Sequence, residues 1–145
     1  MQMAEISKIL VESDRSFLRS LVMDIEQHHA INIIRKPERG LVMAKARDSV
    51  SRAPFYMGEV IVSECTVEIA GVYGLGIVMG EDADKSYDMA VVDAAMQANL
   101  VETSQWQDRL MEQKEKLETK RRWQYAQVAK TNVDFATVEE WDAKL

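Results

Sequence analysis

Residues Pro37 to Val62 read PERGLVMAKARDSVSRAPFYMGEVIV, a proline and glycine segment feeding two strand-like runs joined by a polar loop. Pro37 presets φ and Gly40 tolerates positive φ, so Lys36 to Gly40 predicts a tight turn between Ile31-Asn32-Ile33-Ile34 and Leu41-Val42-Met43-Ala44. Asp48 to Pro54 is polar and reads as a loop. From Phe55 to Ala70 the residues are β-branched and alternating, with Ile61, Cys65, Val67 and Ile69 on one face and Glu64, Thr66 and Glu68 on the other. Gly71-Val72-Tyr73-Gly74 turns the chain into a further run, Leu75 to Met79, which Gly80 ends. Four sequential strands of this kind predict an antiparallel sheet with one buried face.

Outward from that stretch the period changes. Ile6, Ile9 and Leu10, then Phe17, Leu18, Leu21, Val22 and Ile25, recur at steps of three and four and predict helices over about 4 to 12 and 14 to 29. Ser13 and Asp14 stand where the second helix would take a capping oxygen. After Asp82 the pattern is helical again, with Tyr87, Ala90, Val91, Ala94 and Ala98 forming a small-residue face suited to close packing on the sheet. From Ser104 to Lys130 only Trp106, Leu110, Leu117 and Val128 form an apolar line, and it is thin. Such a helix is held by a partner chain, or it leans on its own domain through charge pairs at four-residue spacing. The expected fold is therefore α+β, a four-stranded antiparallel sheet flanked by N-terminal and C-terminal helices. One domain is expected over 1–145, with 103–145 an extended helical segment.

Composition bounds the function. A chain of 145 residues with 47% hydrophobic content can bury one real core. Its charged fraction of 29% and net charge of -6 argue against nucleic-acid or anionic-membrane partners, which need clustered positive charge. Cys65 is the single cysteine, so no intrachain disulfide forms, and the opening MQMAEISKILVESD lacks the basic leader and apolar core of a signal peptide. No apolar run approaches the ~20 residues of a membrane-spanning helix. The cytoplasm is the expected location.

Candidate chemistry is sparse. His28 and His29 are adjacent, so they diverge on a helix and suit its C-terminal end better than a metal pair at i, i+4. Cys65 alternates with apolar residues and reads as an inert core thiol. Gly71, Gly74 and Gly76 depart from the spacing of a dinucleotide loop and read as a hairpin turn. Glu81, Asp82 and Asp84 stand where a helix dipole favours carboxylates, a better reading than a cation site. Lys114, Lys116, Lys120, Arg121 and Arg122 are interleaved with Glu115 and Glu118, as on a solvated or interfacial helix. Neither a nucleophile-base pair nor a metal-ligand cluster stands out, and no catalytic or metal residue is expected.

The ordered set Glu38-x-Gly40-Leu41-Val42-Met43, Ala46-Arg47 and Phe55-x-x-Gly58-Glu59 resembles the PhnG subunit family of the bacterial carbon-phosphorus lyase core complex. Further similarity lies in Cys65-Thr66-Val67, Gly80-x-Asp82, Ala90, Asp93 with Ala94-Ala95-Met96-Gln97, and in the Val133-Asp134-Phe135 signature near the end. The chain departs from the family at Asp48 to Arg52, where a glycine-rich loop is usual, and after Phe135. The resemblance implies a supporting subunit that assembles with PhnI, PhnH, PhnJ and PhnL homologues. In that complex a phosphonate displaces adenine from the ribose of MgATP, and the catalytic groups are expected on PhnI. MgATP and methylphosphonate would be substrates of the complex, with no cofactor bound by this chain alone. Arg47 and Glu59 are the charged family-motif residues to test, with strand-end pairing or partner contact favoured over a site-facing role. Trp106, Leu110, Leu117, Trp123 and Phe135 are the candidate partner interface, because so charged a segment does not expose that many large apolar groups without cover. In isolation the same surface would promote self-association. The rival reading is a free-standing α+β binding or adaptor domain unrelated to phosphonates, and neighbouring genes for PhnH, PhnI and PhnJ homologues would separate the two.

Overall fold

The structure is a computed structural model, and residues 1–131 are described. Its elements run α1 (Met3–Glu12), α2 (Arg15–His28), β1 (Asn32–Arg47), β2 (Pro54–Ile69), β3 (Val72–Met79), α3 (Ala83–Gln97), a 3-10 turn (Val101–Gln105) and α4 (Trp106–Lys130). Both N-terminal helices fall where the apolar stripe placed them. Their junction works differently, because Ser13 Oγ donates to Ile9 O at 2.6 Å and so closes α1. Asp14, the residue before α2, makes no side-chain capping bond.

The α+β class holds, but the sheet has three strands, in the antiparallel order β1-β2-β3. The predicted turn at Lys36 to Gly40 does not form. That segment lies inside a single 16-residue strand, β1, paired along β2 from Asn32 opposite Glu68 to Arg47 opposite Pro54. Two register shifts, between Ile33 and Arg35 and between Arg35 and Glu38, take up the extra residues around Pro37. A proline lacking its N–H is tolerated on an edge strand or beside a bulge, and β1 is an edge strand. Gly40 lies in the ladder opposite Val62, where an added Cβ would stand 3.4 Å from Glu64 Oε1. Its small size matters there rather than any turn.

Gly71, with φ of +79°, makes the β2-β3 turn. Gly74 and Gly76 do not turn the chain. They lie within β3, where an added Cβ would come 2.3 Å from Ala90 O and 2.0 Å from Ser86 O respectively. Two glycines on the strand meeting Ser86, Ala90 and Ala94 on the helix bring the α3 backbone directly against the sheet. The other side of α3 packs on α2, and the core gathers Ile6, Leu10, Leu21, Ile25, Val67 and Val91 between these layers. Ile61, expected on the buried face, is exposed because no helix covers the sheet at that point.

β3 pairs only with Val62 to Ile69. Past Val62 the β1-β2 ladder therefore continues as a two-stranded arm, Leu41–Arg47 against Pro54–Ile61, with no third strand. Eight residues of strand carry it about 25 Å out from its root. At the root Gly80 N donates to Ile61 O at 2.8 Å, and Asp82 caps the start of α3.

Candidate functional site

Three polar clusters bind the helices together. In the first, Arg19 donates to Asp88 at 2.6 Å and to both oxygens of Glu26 at 3.0 and 2.8 Å. Tyr87 donates its hydroxyl to Glu26 Oε1 at 3.1 Å. Asp88 is only 2% exposed, and burial raises its pKa although the Arg19 hydrogen bond opposes the shift. Burial, followed by the Glu26 bond, pushes the Tyr87 phenol up to about 12. Arg19, Tyr87 and Asp88, with Arg15 and Asp84, line an open cleft of about 400 Å³. The guanidinium is already shared by two carboxylates, and a phenol held so high is no base near neutrality. The cluster braces α2 on α3. Sequence reading missed it by assigning Tyr87 to the sheet-facing side. The available signal was Asp88 standing directly before the apolar run Met89-Ala90-Val91-Val92, where a buried carboxylate requires a cation from elsewhere in the fold.

The second cluster joins α2 to the 3-10 turn. His29 Nε2 lies 2.9 Å from Glu102 Oε1, and His28 Nδ1 donates to Asp24 O at 2.9 Å, which is the helix-end role expected for His28. The Glu102 carboxylate is held below its usual range, first by a backbone hydrogen bond and then by His29. The third cluster is at the start of α3. Asp82 accepts from Lys85 N at 3.2 Å, as a cap should, and also pairs with Arg15. Arg39 pairs with Glu81 at 2.6 Å. Ser63, buried in β2, accepts from Asp82 N at 2.9 Å and donates to Gly80 O at 2.8 Å, so one hydroxyl sets the chain from sheet to helix. Among the described residues no group of three or more His, Cys, Asp or Glu is placed to hold a metal ion. Cys65 is fully buried, and burial pushes its thiol up.

Of the family-motif residues, Leu41, Arg47, Gly58 and Glu59 lie on the projecting arm, with Gly40 at its root and Glu38 just before it. Leu41 faces Ile61, Glu59 faces Met43, and Gly58 faces Ala44. Arg47 and Glu59 are both exposed and form no ion pair with another described residue. Asp134 and Phe135 lie outside the described residues.

The expected interface on α4 divides in two. Trp106 and Leu110, 1% and 2% exposed, belong to the protein's own core, and Leu117 packs partly against it. Trp106 is buried because the start of α4 joins the core cluster that α1, α2 and α3 share, a long-range placement that an isolated apolar stripe does not reveal. Its indole N–H has no hydrogen-bond partner among the described residues. Trp123 is 65% exposed, and Tyr125 and Val128 nearby are exposed as well. Lys114 pairs with Glu5, and Arg121 with Glu12, at the same spacing on both helices, so α4 runs parallel to α1. α1 ends at Glu12, and α4 continues beyond it to Lys130.

An α+β protein whose charges tie its helices together, and which leaves large apolar residues exposed on the arm, on the end of α4 and along β3 at Tyr73, Leu75, Ile77 and Met79, is built to be one component of an assembly. The chain belongs to the PhnG family, described as phosphonate metabolism protein PhnG, whose sequence profile matches residues 2–139. It is also similar to the alpha-D-ribose 1-methylphosphonate 5-triphosphate synthase subunit PhnG of Rhizobium meliloti (strain 1021). The two are 33% identical over 122 residues, which cover 82% of this chain and 77% of the relative. No described helix is long and apolar enough to cross a membrane.

Proposed function

We propose that this chain is a supporting subunit of a carbon-phosphorus lyase core complex in the cytoplasm. There it assists the transfer of methylphosphonate onto the ribose C1′ of MgATP with displacement of adenine. The observation carrying this reading is the PhnG family match along residues 2–139, joined by a relative whose name states that it is a synthase subunit. The site geometry supports the supporting role, because Arg19, Asp88, Glu26 and Tyr87 satisfy one another within the fold. Holding a ribosyl cation and an anionic phosphonate in line requires several groups free to orient them. Those groups are assigned to PhnI, with PhnH, PhnJ and PhnL homologues as the other partners, and MgATP and methylphosphonate bind the complex rather than this chain alone.

The test is adenine release from MgATP with methylphosphonate present. The purified chain should release none, the PhnI, PhnH and PhnL homologues without it should be impaired, and adding it back should restore turnover. Turnover by the chain alone, or a complex indifferent to it, overturns the reading.

A further inference from the structure

The arm and the C-terminal end of α4 leave the domain at the same end. β3 runs toward the arm and delivers Gly80 to its root, where α3 begins. α1 runs the same way, since Lys85 Nζ, on the first turn of α3, donates to Val11 O at 2.9 Å near the end of α1. α4 is parallel to α1 and reaches that end at the Arg121–Glu12 pair. Its remaining residues, Arg122 to Lys130, then extend roughly 14 Å further. Two prongs thus project from one end of the domain, an antiparallel ribbon and a helical overhang.

Among the described residues, both prongs carry apolar side chains that nothing covers. Met57 and Tyr56 on the arm are 68% and 58% exposed, and Leu41 opposite Ile61 is 62% exposed. A two-stranded ribbon is marginal in water without something packed on it. On the overhang Tyr125 is 78% exposed. Charge says what covers them. The whole chain carries a net charge of -6, yet KRRWQYAQVAK, residues 120–130, contains four cations and no carboxylate. Between Leu41 and Ile61 Lys45, Arg47 and Arg52 outnumber Asp48 and Glu59.

We infer that the arm and the α4 overhang form a two-pronged clamp that grips one folded partner subunit, on an apolar patch rimmed by carboxylates. Apolar anchors supply the contact area, and the basic flanks set orientation and exclude other partners. The clamp rests on the assembly reading above and specifies the surface it uses.

The test places a photo-crosslinking benzophenone amino acid at Met57, at Tyr125 or, as a control, at Met23 on the exposed side of α2, in chain coexpressed with the PhnI, PhnH and PhnJ homologues of the same genome. Met57 and Tyr125 should crosslink to the same partner subunit and Met23 to none. Lys120→Glu with Arg122→Glu should weaken capture of that subunit at least tenfold at low salt, while the free variant keeps the parent's circular dichroism. Failure to copurify with any of the three subunits overturns the assembly reading and the clamp together. A stable complex in which the prongs crosslink to different subunits, to a second copy of this chain, or to nothing, overturns the clamp alone. Nuclease-sensitive nucleic acid copurifying with the chain, and lost in the charge-reversed variant, would assign the prongs to nucleic acid and overturn it as well.

Discussion

Gly76 shows how one missing side chain sets a distance in this fold. Its added Cβ would lie 2.0 Å from Ser86 O, a backbone atom that moves only if α3 moves. Gly76→Ala should therefore destabilise the protein by about 2–3 kcal/mol or more in urea unfolding. Gly40→Ala meets its nearest side-chain atom at 3.4 Å and should change stability by less than ~1 kcal/mol. Tyr87 makes a pH prediction of similar locality. Its folded pKa is about 12 against an ordinary 10.0, so the contribution is complete below 10 and is lost as pH rises toward 12. Tyr87→Phe should remove that part of the alkaline fall in stability, measured by chemical denaturation across the range. Neither the glycine contact nor the phenol's partner can be read from neighbouring residues, since Gly76 and Ser86 meet only when β3 and α3 fold face to face, and Glu26 is separated from Tyr87 along the chain by the whole sheet.

At the scale of elements, α4 combines a core segment with an overhang, and the two halves should respond unequally to truncation. Trp106→Ala empties a site that is 1% exposed and should cost about 3–5 kcal/mol, whereas Trp123→Ala should stay within ~0.5 kcal/mol for the isolated chain. The docking of α4 on α1 also depends on acid. The hydrogen bond from Lys114 holds the Glu5 carboxylate below its ordinary 4.5, so this support is present above that value and lost as pH falls through the folded value. Amide exchange in the middle of α4 should accelerate below that pH, and Glu5→Gln should abolish the pH dependence. The periodicity of the segment showed a helix with a thin stripe. Which half of the stripe the domain would cover depended on where α1 ended.

For the whole molecule, the arm and overhang leave apolar surface uncovered when partners are missing. The isolated chain should self-associate at high concentration in sedimentation velocity, and Met57→Lys with Val42→Lys should return it to monomer without lowering its unfolding midpoint. Both side chains are exposed on a ribbon that carries no core. If the pair of substitutions unfolds the sheet instead, the arm is part of the protein's own packing.

Local pattern carries information wherever a periodic face meets the protein's own core. That is why α1, α2 and α3, the alternation of β2, the inert burial of Cys65 and the Asp82 cap were legible in order along the chain. The family, too, was readable from linear spacing, because its motif residues follow one another along the chain. Strand number was not. Pro37 and Gly40 carry turn propensity, but pairing with the whole length of β2 offers β1 more hydrogen bonds than a tight turn would, and bulges absorb the misfit. Likewise Trp106 and Trp123 occupy similar charged surroundings in sequence, and only the docking of the first half of α4 on the core beside α1 buries one and leaves the other in solvent. Propensity and period act over a few residues, whereas register, helix overlap and the common direction of the two prongs follow from contacts between segments tens of residues apart.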